Sequence, residues 1–152
     1  MLTSATVAYI HYLGFMLSFG ALVLERRLIR QDLSVKEATL LVGTDLVYGM
    51  AALAVLVTGI LRVKYFGQGA DFYLQNPVFI TKVGLYLTLG GLSLYPTFTI
   101  IRWVFPLREG KAPEVSETTV GRIKTALNLE LAGMVVLPLL AALMARGIGL
   151  SA

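Results

Sequence analysis

Four apolar runs, each long enough to cross a bilayer, constrain this chain more than any other feature. They are Ser4 to Leu24, Glu37 to Leu61, Pro77 to Val104 and Arg122 to Ala145. A hydrocarbon core about 30 Å thick needs roughly 20 apolar residues in a helix, and helices satisfy their own backbone groups where water cannot. With 57% hydrophobic and 14% charged residues, the chain falls well below the charge of a soluble domain. The connections between runs are short, which makes sequential helices antiparallel neighbours. The expected fold is therefore all-α, an integral membrane four-helix bundle of up-down topology, with residues 1–152 forming a single transmembrane domain.

Local punctuation agrees with these runs. Ser34 followed by Glu37 is a capping-box pattern at the start of the second helix, and Pro77 suits the first position of the third. Gly147 is a cheap left-handed stop after the fourth. Pro96 and Pro138 lie inside the third and fourth runs and are expected to kink them.

Charge sets an orientation. Arg26, Arg27, Arg30 and Lys36 fill the first connection, and Arg102, Arg108, Lys111 and Arg122 the third, whereas the second holds only Arg62 and Lys64. By the positive-inside rule the first and third connections face the cytoplasm, and both termini lie outside it, as expected in a bacterial inner membrane. The N-terminus lacks the basic n-region and cleavage site of a signal peptide, and so reads as a retained helix. Tyr65, Phe66, Phe72 and Tyr73 in the second connection suit a segment at headgroup depth. The net charge of +4 is not gathered on one polar face. That distribution points to a lipid bilayer as partner and not to nucleic acid. Cysteine is absent, which excludes disulfides, thiolate chemistry and cysteine-held metals.

Ionisable residues inside the spans are the candidates for function, because each is costly in hydrocarbon without a partner. His11 is the only histidine, and Lys82 lies at matching depth on the third helix. Asp45 and Glu130 form a deeper layer near Glu25 and Arg27, in which ion pairing is the simplest structural role. Helical spacing aligns His11, Gly14, Ser18 and Glu25 on one stripe. Asp45, Gly49, Ala52 and Gly59 form a second; Lys82, Tyr86, Leu89, Ser93 and Thr97 a third; Glu130, Gly133 and Leu137 a fourth. The expectation is that the four stripes converge on one interior, with His11 looking across a cavity toward Lys82.

A neutral imidazole in such an interior is a competent axial ligand for haem iron, and a nearby cation can neutralise a propionate. His11 is thus the candidate metal ligand, with Arg27 and Lys82 as cofactor-binding cations and Lys82, Glu130 and Asp45 as catalytic or proton-relaying groups. A zinc hydrolase site, a phosphate loop and a dinucleotide fingerprint have no counterpart in the residues.

The segment His11-Tyr12-Leu13-Gly14, through Ser18-Phe19-Gly20-Ala21-Leu22, to Arg27-Leu28 resembles the first-helix signature of the HemJ-type protoporphyrinogen oxidases. Thr81-Lys82-Val83 and Asn128-Leu129-Glu130 are similar to later motifs of that family. More broadly, the chain resembles an uncharacterised family of bacterial and cyanobacterial four-helix membrane proteins distantly related to HemJ. The resemblance implies haem b on His11, Lys82 as a second functional position, a porphyrin or quinone as reaction partner, and a homo-oligomer. The sequence departs from the HemJ pattern where Ser18 replaces a tryptophan and where Gly91 to Ser93 replaces a tyrosine-histidine pair. The leading expectation is a haem-b-binding membrane redox protein, with HemJ-like oxidation of a porphyrinogen. The alternative is a proton-coupled small-solute transporter or a non-catalytic accessory membrane subunit.

Overall fold

A computed structural model describes residues 1–149 and contains four long helices. They are α1 (Leu2–Leu28), α2 (Val35–Leu61), α4 (Pro77–Ile101) and α6 (Glu117–Ala145), with two short helices, α3 (Ala70–Leu74) and α5 (Val104–Arg108), between them. All four long helices have the length and composition to cross a membrane. α1 packs along α2 and α4 along α6, and the two pairs close into a ring through contacts of α1 with α6 and α2 with α4. The start of α1 and the end of α6 lie at one end of this up-down bundle; the α1–α2 connection and α5 lie at the other.

The starts of α2, α4 and α6 are set by side-chain caps. Ser34 and Glu37 form the full capping box, with the Glu37 amide donating to Ser34 Oγ at 3.3 Å. Asn76 Oδ1 accepts from the Val78 amide at 2.9 Å just ahead of Pro77. The fourth span begins at Glu117, five residues earlier than its apolar run, because Ser116 Oγ accepts from the Thr119 amide at 3.2 Å. Such a cap holds a polar first turn in helical form without any apolar burial.

Two other boundaries differ from the hydropathy pattern. The third span stops at Ile101 and resumes as α5 after a break at Arg102 and Trp103. α2 runs on through a π-helical turn, Arg62–Phe66, into the aromatic second connection. There Phe72 meets Tyr73 edge to face and Tyr73 packs tilted against Phe79, with ring centroids 5.3 and 5.2 Å apart, so the segment is tied to α4. α4 and α6 both continue as helix past Pro96 and Pro138.

The outer surface is apolar, as a lipid-facing surface must be. Leu46, Leu53, Leu87, Phe98, Val135 and Leu139 are all more than half exposed. Inside, the bundle has two regimes. Toward the end opposite the termini, Leu22, Leu41, Ile100, Ile123 and Leu127 form a tight apolar core. Toward the middle, small residues let helices approach, as expected where packing, not water exclusion, holds membrane helices together. Gly14 is the tightest such point between α1 and α2: a Cβ there would lie 3.1 Å from both the Ala51 carbonyl oxygen and Val55 Cγ2.

Candidate functional site

Glu25 from α1, Asp45 from α2 and Glu130 from α6 meet inside the bundle, and α4 completes the layer with Thr97. Glu25 and Glu130 are each only 1% exposed and Asp45 7%. The three carboxyls are close enough to act on one another electrostatically. Thr97 Oγ1 donates to Asp45 Oδ1 at 2.8 Å, and Tyr48 donates its hydroxyl to Glu130 Oε2 at 3.2 Å. Glu25 Oε1 and Glu130 Oε1 are buried and have no hydrogen-bond partner among the described residues.

The ion pairing expected for this layer is not formed. Among the described residues the ion pairs are Arg30–Glu37 and Lys111–Glu109, both near the end opposite the termini. Arg27, expected beside the carboxyls, is exposed. Its neighbour Arg26 turns toward α6 instead and donates from Nε to Asn128 Oδ1 at 2.7 Å. Adjacent residues on a helix point about 100° apart, so only one of the two arginines can face the neighbouring helix.

A cavity of about 50 Å³ adjoins this layer and draws its lining from all four spans, including Phe15, Ser18, Tyr48, Tyr86, Ser93 and Met134. Its hydroxyls have their protons committed elsewhere. Ser18 donates to the Gly14 carbonyl at 2.9 Å, Tyr86 to the Ala52 carbonyl at 2.6 Å and Ser93 to the Gly90 carbonyl at 2.8 Å, while Tyr48 donates to Glu130. Their oxygens remain acceptors for a guest that donates, and the volume suits a few water molecules.

His11 lies nearer the termini and is half-buried. Its Nδ1 is 3.0 Å from Thr58 Oγ1 on α2, and a Cβ on Gly59 would come within 3.4 Å of its ring. The Thr58 hydroxyl proton is already directed to the Ala54 carbonyl, so the oxygen can only accept from the imidazole. Neutral His11 therefore carries its proton on Nδ1 and leaves the Nε2 lone pair free. Its bonded partner is Thr58 and not the Lys82 ammonium, which rests 5.8 Å from the centroid of the Phe79 ring. Lys82 and Arg62 both stand close enough to act on the imidazole electrostatically.

The cavity shared by the four spans does not fit a haem. The donor chemistry of His11 suits an axial ligand, since a metal-bound imidazole commonly donates its other nitrogen to a neighbour. The space does not suit it: a cavity of about 150 Å³ is what benzene occupies, and a porphyrin is several such rings. The enclosed volume here is about 50 Å³, and His11 is not part of its lining. Among the described residues no three His, Asp or Glu side chains are grouped to hold a metal ion either.

The structure thus brings Glu25, Asp45 and Glu130 together and leaves Arg27 outside. The third and fourth stripes are buried largely as their spacing predicts, with Leu89, Ser93, Glu130, Gly133 and Leu137 all inside. The second is rotated: Gly49 is exposed, and the inward face of α2 is Asp45, Tyr48, Ala51, Val55 and Thr58. Tyr48 and Thr58 are the polar groups that the glycine-led stripe misses. Steps of three from Asp45, the buried acid, lead to Tyr48 and Ala51.

No curated protein and no solved structure matches the chain, so neither comparison bears on the resemblance to HemJ-type oxidases. The model of the family described as "Predicted membrane protein (DUF2214)" matches residues 3–149, nearly the whole length, and the chain belongs to that family of membrane proteins.

Proposed function

We propose that this protein handles protons inside the bilayer, most simply as the proton-binding element of a proton-coupled small-solute transporter or of a membrane complex. One observation carries the reading: three carboxyls from three spans lie together in the bundle, among the described residues without a paired cation, two of them with a buried oxygen that has no partner there. An uncompensated buried charge costs several kcal/mol even after relaxation. The cluster therefore requires compensation from solution, and protons are the simplest agent where no metal-holding group is formed.

The residues suggest the division of labour. Glu25, Asp45 and Glu130 hold and exchange the proton, and Tyr48 connects Glu130 to the acceptor-lined cavity. Water in that cavity would carry the proton toward the His11 layer, where Nε2 is free to accept it. The cavity holds no solute much larger than a few waters, so coupled transport would use space shared between copies or with a partner subunit. The excess of Lys and Arg at the end opposite the termini favours placing that end in the cytoplasm of a bacterium, with both termini outside. A haem-linked redox role on His11, acting on a porphyrin or quinone, is the weaker reading, because the cavity shared by the four spans is far smaller than a macrocycle and His11 does not line it.

Proteoliposomes loaded with a pH-sensitive dye test this directly. Under an imposed potassium diffusion potential, the reconstituted protein should acidify or alkalinise the lumen faster than empty vesicles. A rate equal to that of empty vesicles, with and without a panel of small solutes, would remove the proposal.

A further inference from the structure

Arg62 and Lys82 take no part in the carboxyl layer, yet both are half-buried at the end of the bundle that carries the termini. Arg62 opens the π-helical turn after α2, and Lys82 lies in the second turn of α4. Each cation rests on an aromatic ring and not on a carboxylate. Arg62 Cζ is 5.2 Å from the centroid of Tyr12, on α1, and Lys82 Nζ is 5.8 Å from that of Phe79. They are near enough to each other to repel. Between Asp45 and Glu109 the chain has one acidic residue, Asp71, and among the described residues it forms no ion pair.

Two like charges within electrostatic reach on different spans, at the edge of a low-dielectric slab and with no counterion among the described residues, are unfavourable unless an anion joins them. Arginine supplies a planar fork of donors and lysine a mobile point charge, the combination suited to a tetrahedral phosphate oxyanion. The rings of Tyr12 and Phe79 shield the cations from lipid and give the site an apolar rim. Depth points the same way: the last turn of one span and the second turn of the next lie where headgroups begin.

We propose that Arg62 and Lys82 clasp a phosphate group at headgroup depth, between the α1–α2 pair and α4. A phospholipid headgroup and free phosphate offer the same chemistry, and binding measurements separate them. Delipidated protein in mild detergent is titrated with phosphatidylglycerol, with diacylglycerol, which lacks the phosphate, and with inorganic phosphate, and bound ligand is counted by native mass spectrometry. Phosphatidylglycerol should bind at least about tenfold more tightly than diacylglycerol, and the R62Q/K82Q variant should lose that preference, since a charge-assisted contact is worth about a factor of ten or more. The charge-preserving variants R62K and K82R should keep most of it. R108Q/K111Q, at the other end, should bind as the wild type does. Displacement of the lipid by inorganic phosphate would support the site and assign the free anion as its ligand. Equal binding of phosphatidylglycerol and diacylglycerol with no binding of inorganic phosphate, or full phosphate-dependent binding by a folded R62Q/K82Q protein, would overturn it.

Discussion

Proteoliposomes carrying the Glu25→Gln/Glu130→Gln double variant are expected to move protons on the order of a hundredfold more slowly than the wild type, the scale of losing a positioned proton donor and acceptor. The substitution keeps volume and shape. A glutamine at 130 still offers a carbonyl oxygen to the Tyr48 hydroxyl, which reaches Glu130 Oε2 at 3.2 Å in the wild type. It removes only the capacity to take up and release a proton. A purely structural role for the carboxyls would leave flux unchanged and show itself in stability alone; the proton-handling role predicts the reverse. Neutral isosteres of buried charged groups are commonly neutral or stabilising, so thermal stability should hold or rise while flux falls. Unchanged flux in a well-folded double variant would reduce the cluster to a packing feature. Asp45→Asn should have a smaller effect than either glutamate change. Asp45 is already engaged by Thr97 and has no orphaned oxygen, whereas Glu25 and Glu130 each do.

A large stability effect is expected at Gly14. Leucine there has no room: even its Cβ would lie 3.1 Å from the Ala51 carbonyl oxygen and Val55 Cγ2, and the first of these is backbone that can yield only by moving a helix. α1 and α2 must separate, and the His11–Thr58 hydrogen bond, one turn nearer the termini, is strained with them. Overpacking of this kind costs about 1–3 kcal/mol. Gly20→Leu is the matched control, because nothing lies within 4 Å of a Cβ at that position. Thermal unfolding in detergent should show a clearly lowered midpoint for Gly14→Leu and little change for Gly20→Leu. Equal midpoints would mean that α1 and α2 do not meet at Gly14.

How much of this is legible in the sequence depends on which force sets each feature. The four spans are legible because hydrocarbon thickness and backbone satisfaction leave few alternatives. Their inward faces are legible where an ionisable residue marks them, as at Glu130 and Gly133, because lipid penalises the opposite orientation. α2 shows the limit. Asp45 fixes the face, but glycines are read as contact points, and Gly49 turns out to be exposed while Tyr48 is 7% exposed and bonded to Glu130. A small residue can face lipid at little cost, so glycine spacing alone does not select a face. Arg27 illustrates a finer limit: whether it or Arg26 reaches α6 is decided by one step of helix rotation at the end of α1, where both can also snorkel to water. The partner of His11 depends on the stagger of α1 against α2, which brings Thr58 to the imidazole. Composition and periodicity contain no measure of that stagger. Cavity size is likewise a property of packed side chains, and a stripe of polar residues cannot distinguish room for a few waters from room for a macrocycle.

The central claim is that the buried carboxyl cluster exchanges protons with solution, and infrared spectroscopy of the reconstituted protein reads this most directly. A pH titration should reveal a carboxylic acid C=O band that disappears reversibly on alkalinisation, shifts in heavy water and loses most of its intensity in the Glu25→Gln/Glu130→Gln variant. A spectrum with no such band at any pH, or one whose band is untouched by the double substitution, would contradict the account.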